Sequence, residues 1–226
     1  MPLFNDDHKG APGVTAHLLD HQHQGPSIKL AKLHQTLLPD SPIARLGTRF
    51  GSSIYYDALP ADGLVFGTYA LVGATPVGLA IGTDDPGGFM SKGLRANLGR
   101  MMLLAPTLIR PRALGALAEA IRIRSSQRSP DDHQLATGQV LTIGVLRPHR
   151  GDRVGDQRIG DALLDALVGQ LAERGVERAC LLVDEQNEVA QRFYARNGWH
   201  LAGEPVTSWR TPQLRMERAI ETRRPQ

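Results

Sequence analysis

The chain has 226 residues, 41% of them hydrophobic and 22% charged, with a formal net charge of +3. That length suits one generous domain, and the composition is that of a soluble globular protein. No run approaches the roughly 18 to 20 apolar residues of a membrane span, and "MPLFNDDHKGAPG" at the N-terminus has acids but no apolar core of a secretory signal. The single cysteine, Cys180, excludes an intramolecular disulfide and points to a reducing cytoplasm.

Residues 1–12 read as a flexible tail. "VTAHLLDHQ" reads as a first strand, and "SIKLAKLHQTLL" as a helix capped by Ser27. "SPIARLGTRFGSSIYYDAL" reads as a second helix, with Ser41 as its cap and Pro42 in its first turn. "GLVFGTYALV" and "PVGLAIGT" form a hairpin through the turn "GATP".

Residues 86–138 break this rhythm as a helical insertion, running from about Phe89 to Gln127 with interruptions at Pro106 and Pro111. Between Pro86 and Pro130 it carries Lys92, Arg95, Arg100, Arg110, Arg112, Arg122, Arg124 and Arg128 against Glu119 alone. Such charge favours an anionic partner, although a solvated basic face accounts for it equally. Phe89 is the only aromatic residue of the segment, which disfavours a nucleic-acid stacking platform.

"VLTIGVL" is the next strand, and Gly144 inside it predicts a bulge or a close approach by another group. The loop "RPHRGDRVGDQR" leads into a helix from about Ile159 to Arg174, closed by Gly175. "RACLLVD" is continuously apolar, as a strand buried on both faces would be, with Cys180 as a small buried hydrophobe. Strand, helix and strand in this order predict a right-handed crossover between parallel neighbours. In the helix 188–197, Asn187 stands at the cap, Val189 and Phe193 read as core, and Ala190 and Tyr194 share the adjacent face before Gly198 ends it. "WHLAGEPVTSW" and "QLRMERAI" read as a closing antiparallel pair.

Gly151, Gly155 and Gly160 lie among Arg150, Arg153, Gln157 and Arg158 between a strand and a helix mouth. Freed backbone N–H groups and the positive helix end there suit a pyrophosphate, while an ordinary tight turn explains the glycines as well. The spacing is neither a P-loop nor a dinucleotide fingerprint. Tyr194 alone fits either a half-buried ring or a chemical role. His17, His21 and His23 have no cysteine or second cluster to complete a coordination set, so no metal is expected.

Taken together, "LTIGVLRP", "GDQRIGDALLDAL" and "LLVDEQNEVAQRFYARNGW" resemble the GCN5-related N-acetyltransferases, the GNAT superfamily. The resemblance covers residues 140–200 closely, and the hairpin at 64–83 fits the family's second and third strands. It implies an α/β fold with a mixed, mostly antiparallel sheet, a splayed parallel central strand pair flanked by helices, and a helical insertion. One domain would span residues 1–226, with 139–220 as the acetyl-CoA-binding core.

In that frame Ile143, Gly144 and Val145 offer backbone groups to the pantetheine arm and the acetyl carbonyl. The family's loop pattern fits "QRIGDA" literally, with Gln157, Arg158, Ile159 and Gly160 at the pyrophosphate; anchoring on the helix selects Gly155, Arg158 and Gly160 instead, and anchoring on the strand selects "RGDRVG". The loop is about five residues longer than the family's usual one. Asn187, Ala190 and Phe193 match positions lining the pantetheine, and Tyr194 matches the general acid.

The implied activity is acetyl transfer from acetyl-CoA to a primary amine of a small molecule. "LHQTLLPDSPIARLGTRFGSSIYY" also resembles a subgroup that acetylates nucleotide-linked amino sugars. The general base stays open among Asp84, Asp85, His133 and His149. A homodimer is the candidate assembly, and the oligomeric state stays open. The competing readings are a non-catalytic CoA- or anion-binding module and a protein N-acetyltransferase.

Overall fold

The computed structural model describes residues 2–4, 13–108, 138–208 and 211–221. Nine strands form one sheet: β1 (Pro2–Phe4), β2 (Val14–Leu19), β3 (Phe66–Val72), β4 (Thr75–Thr83), β5 (Gly138–Val145), β8 (Arg178–Asp184), β9 (His200–Leu201), β10 (Val206–Ser208) and β11 (Thr211–Ala219). Their order is β1-β2-β3-β4-β5-β8-β11-β10, with β9 also on β11. Every pairing is antiparallel except β5 with β8. This is the mixed, mostly antiparallel sheet expected. Residues 2–4 are not tail, because they pair with β2; residues 5–12 lie outside the described residues.

Helices cover both faces. On one lies α7 (Ile159–Glu173), whose Leu163, Leu164, Leu167 and Leu171 are buried. The strands admit it closely because their facing residues are small: a Cβ on Gly78 or Gly82 would come within 3.1 or 3.0 Å of Leu163 or Leu167. Gln170 of α7 donates through Nε2 to the Gly67 carbonyl at 2.9 Å, a direct polar tie between helix and sheet. A Schellman motif ends the helix, with Val176 N–H on the Leu171 carbonyl, Gly175 N–H on that of Ala172 and Gly175 at φ 74°.

The other face is covered by α1 (Ser27–Leu37) and by a broken helix: α2 (Pro42–Leu46), α3 (Thr48–Phe50), a π-helical stretch (Gly51–Ala58) and α4 (Leu59–Ala61). Ser41 caps α2 as expected, accepting from Ala44 N–H at 3.2 Å, but Gly47 at φ 93° breaks what the sequence reads as one helix. Ser27 is not a cap: Pro26 holds that position, and no side chain closes that end. In the insertion, α5 (Phe89–Ala96) and α6 (Leu98–Leu108) break at Asn97 rather than at Pro106, which α6 includes. Residues 109–137, with Pro111 and five of the arginines, lie outside the described residues. No described helix is long and apolar enough to cross a membrane.

β8 departs from its expected double burial. Ala179, Leu181 and Val183 are buried against the α7 side, while Cys180 and Leu182 on the opposite face are only partly covered.

Candidate active site

β5 and β8 pair at Gly138 with Ala179, Gln139 with Cys180 and Val140 with Leu181, and then separate. From Leu141 onward β5 keeps only β4, and β8 from Leu182 onward keeps only β11. The sheet is therefore split at the carboxyl ends of its one parallel pair, the place where open sheets admit ligands.

A bulge accompanies the split, although not at Gly144. Ile81 faces Thr142 while Gly82 faces Val140, so Leu141 is the extra residue. An extra residue increases the local twist and turns the rest of β5 off β8's line. Gly144 is regularly paired with Leu79; it is small because Leu37 Cδ1 stands 3.0 Å from the place a Cβ would take. Ile143 and Val145 flank it, and the Val145 carbonyl already accepts from Arg150 Nε at 3.3 Å.

The long loop after β5 contains a two-residue hairpin, which accounts for its extra length. β6 (Arg153–Val154) pairs with β7 (Gln157–Arg158), and Gly155 at φ 57° makes the turn with Asp156. The positive φ of Gly155 thus serves the hairpin, and α7 begins only at Ile159. Ile159 N–H is taken by the Asp152 carbonyl at 3.1 Å, and no side chain caps the helix. An open depression of ≈ 470 Å³ lies at this mouth, lined by Arg153, Asp156, Gln157, Arg158, Asp161 and Arg196. The sequence reading missed Asp161 and Arg196, which lie 35 residues apart and show no local pattern linking them.

Across the split, α8 (Glu188–Arg196) starts at Asn187, whose Oδ1 accepts from Ala190 N–H at 3.1 Å. Ala190 and Phe193 are partly buried against the core, and the Phe193 ring reaches 3.4 Å from the would-be Cβ of Gly160. Val189 is not core but 66% exposed. A helix this short turns one stripe inward, and here that stripe runs through Ala190, Phe193 and Tyr194. Tyr194 is buried, edge-on to Phe193 at 5.3 Å and to Trp199 at 6.3 Å. A second Schellman motif holds it: Trp199 N–H bonds to the Tyr194 carbonyl, Gly198 N–H to that of Ala195, and Gly198 has φ 80°. Burial pushes the phenol up from its ordinary value, so it keeps its proton at neutral pH.

The base candidates separate by position. Thr83 faces Gln139 at the closed end of the β5–β8 pair, while Gly78 faces Val145 at the open end. Asp84 and Asp85 follow Thr83, roughly 20 Å from the open end at about 3.3 Å per residue. They pair instead with Arg174 at 3.7 Å and Lys92 at 2.7 Å. His149 follows the open end, with Nδ1 2.7 Å from Asp152 Oδ2. His133 lies outside the described residues. His17 hydrogen-bonds Thr15 and stacks on Tyr69, while His23 pairs with Asp20; among the described residues no group of three potential ligands converges.

A buried network on the α1 side was not legible from the sequence. His34 Nδ1 lies 2.7 Å from Tyr56 Oη and Nε2 lies 2.8 Å from Ser41 Oγ. Tyr55 hydrogen-bonds Thr142, next to the bulge. Burial pushes His34 down to about 4 and Tyr55 and Tyr56 upward, so all three are neutral around pH 7.

Residues 115–199 match the model of the acetyltransferase (GNAT) family. No curated protein matches the chain. Among solved structures, one described as an acetyltransferase is 17% identical, with a TM-score of 0.55 over 91% of this chain and 99% of that one. The PaiA N-acetyltransferase from Thermoplasma acidophilum, solved with coenzyme A, is 13% identical with a TM-score of 0.52 over 92% and 99%. A chain of the NatC complex bound to Gag peptide and CoA is 11% identical with a TM-score of 0.54 over 92% and 99%. At these identities the structures speak for the fold alone.

Proposed function

Because residues 115–199 match the acetyltransferase (GNAT) family model, we propose that the chain transfers the acetyl group of acetyl-CoA to a primary amine of a small molecule, with Tyr194 as general acid. The observation that carries this reading is the separation of β5 from β8 after Val140 and Leu181. A thioester arm entering there would run along the free edge of Ile143, Gly144 and Val145. Asn187, Ala190 and Phe193 would form its other wall. The pyrophosphate would meet Gln157, Arg158 and Gly160 at the uncapped α7 mouth, where N–H groups and the helix dipole favour anions, while the Ile159 N–H is held by the Asp152 carbonyl. Gly155 shapes the hairpin above it.

The chemistry follows from proton affinities. A primary amine of pKa about 10.4 is neutral only about once in 10³ molecules at pH 7, so its proton must leave before or during attack. The amine nitrogen bonds to the acetyl carbon, the carbon–sulfur bond breaks, and the electron pair goes to sulfur. A thiolate of pKa about 8.5 leaves more readily when protonated. Tyr194 supplies that proton, its burial keeping it in the acid form. A main-chain N–H on the free edge of β5 would stabilise the oxyanion, a contribution of about 3 kcal/mol in comparable sites. Of the four base candidates, His149 alone among the described residues stands at the open end. We infer amino sugars, free or nucleotide-linked, as the acceptor class, and a cytoplasmic site of action.

Release of the CoA thiol is to be assayed across amino sugars, polyamines and peptides, with Tyr194→Phe as control. Turnover with an amine supports the reading, and an amino sugar supports its finer form. Turnover only with peptides would move the acceptor to proteins. Binding of acetyl-CoA without turnover on any amine would leave a binding module.

A further inference from the structure

The depression at the α7 mouth contains a carboxylate where an anion is expected to bind. Asp161 is the third residue of α7, in the turn whose N–H groups face outward. It lines the same depression as Arg153, Arg158 and Arg196. A free carboxylate there would occupy the positive helix end and repel a pyrophosphate. It is not free. Arg196 Nη2, at the end of α8, donates to Oδ1 at 2.9 Å and Oδ2 at 3.2 Å, and Asn197 Nδ2 donates to Oδ1 at 3.0 Å. Arg196 is further held over the Phe193 ring, 5.0 Å from its centroid. Burial would raise the Asp161 pKa, but the hydrogen bonds from Asn197 and Arg196 and the charges of Arg196 and Arg158 outweigh it and lower it, so the carboxylate stays ionised.

We propose that Arg196 is a positioning residue for the cosubstrate: by neutralising Asp161 it makes the α7 mouth able to take the pyrophosphate of acetyl-CoA, and it ties the helix after β5 to the helix after β8 across the split. This rests on the acetyl-CoA reading above. With Arg196 the depression carries three arginines against two aspartates, Asp156 and Asp161; without it the numbers are equal and Asp161 is unscreened.

The charge role and a purely mechanical latch predict opposite signs for one variant. Asp161→Asn removes the repelling charge while leaving Arg196 free to meet phosphate, so CoA should bind as tightly as in the wild type or more tightly. A mechanical latch predicts weaker binding. Arg196→Ala should weaken CoA by about tenfold or more, and the double variant should return to within about threefold of Asp161→Asn. Calorimetric titration of the full chain with CoA measures all four proteins, with thermal melts checking the fold. If Arg196→Ala fails to fold, Asp161→Asn still decides. Weaker binding by Asp161→Asn, or no recovery in the double variant, overturns the proposal. Wild-type protein that binds no CoA overturns the acetyl-CoA reading and this inference with it, whereas wild-type binding with an unaffected Arg196→Ala overturns the inference alone.

Discussion

Leu37 of α1 and Gly144 of β5 meet so closely that a Cβ on Gly144 would stand 3.0 Å from Leu37 Cδ1. The contact presses α1 against the strand edge that opens beside β8. Gly144→Val should therefore cost about 1–3 kcal/mol through overpacking, and adding Leu37→Ala should recover part of it. Denaturant midpoints measure this; equal midpoints for Gly144→Val and wild type would show that α1 yields freely.

Tyr194→Phe keeps the ring against Phe193 and Trp199 and removes only the hydroxyl. Stability should change by less than about 1 kcal/mol, while kcat should fall at least tenfold with the KM for acetyl-CoA nearly unchanged, as loss of one acid catalyst implies. Unchanged kcat would remove Tyr194 from the proton path.

His34 predicts a pH dependence of stability. Its pKa falls from 6.5 to about 4 on burial, so between those values the unfolded chain binds a proton that the folded one does not. Stability is thus complete above about pH 6.5, declines as pH drops toward 4, and levels off below. The loss is on the order of 3 kcal/mol. Urea midpoints at pH 7, 5.5 and 4.5 should show this slope, and His34→Gln should flatten it.

Alanine should have opposite effects at two glycines. Gly198 sits at φ 80° in the motif that positions Tyr194, so Gly198→Ala should cost about 1–2 kcal/mol. Gly169 is exposed in mid-helix with nothing within 4 Å of its would-be Cβ, so Gly169→Ala should add about 0.5–1 kcal/mol. Thermal melts of both variants give the comparison.

Much of the architecture was legible because its signals are local. Ser41 before Pro42, Asn187 before Glu188, and Gly175 and Gly198 after their apolar periods each act through backbone within a turn, and each forms the cap or stop expected. Val189 misled because periodicity says which residues share a stripe, and only the packed neighbours say how wide the buried stripe is; on α8 it stops at Ala190.

The sequence alone determined the order of the main strands, the parallel crossover between β5 and β8, and the helix ends at Ser41, Gly175, Asn187 and Gly198. All follow from spacing along one segment. Only tertiary structure decided where the sheet splits, that Leu141 rather than Gly144 bulges, that the long loop folds into a hairpin, and that Arg196 reaches Asp161. These depend on pairings between residues tens of positions apart, and contact at that range is set by packing rather than by the period of any single element.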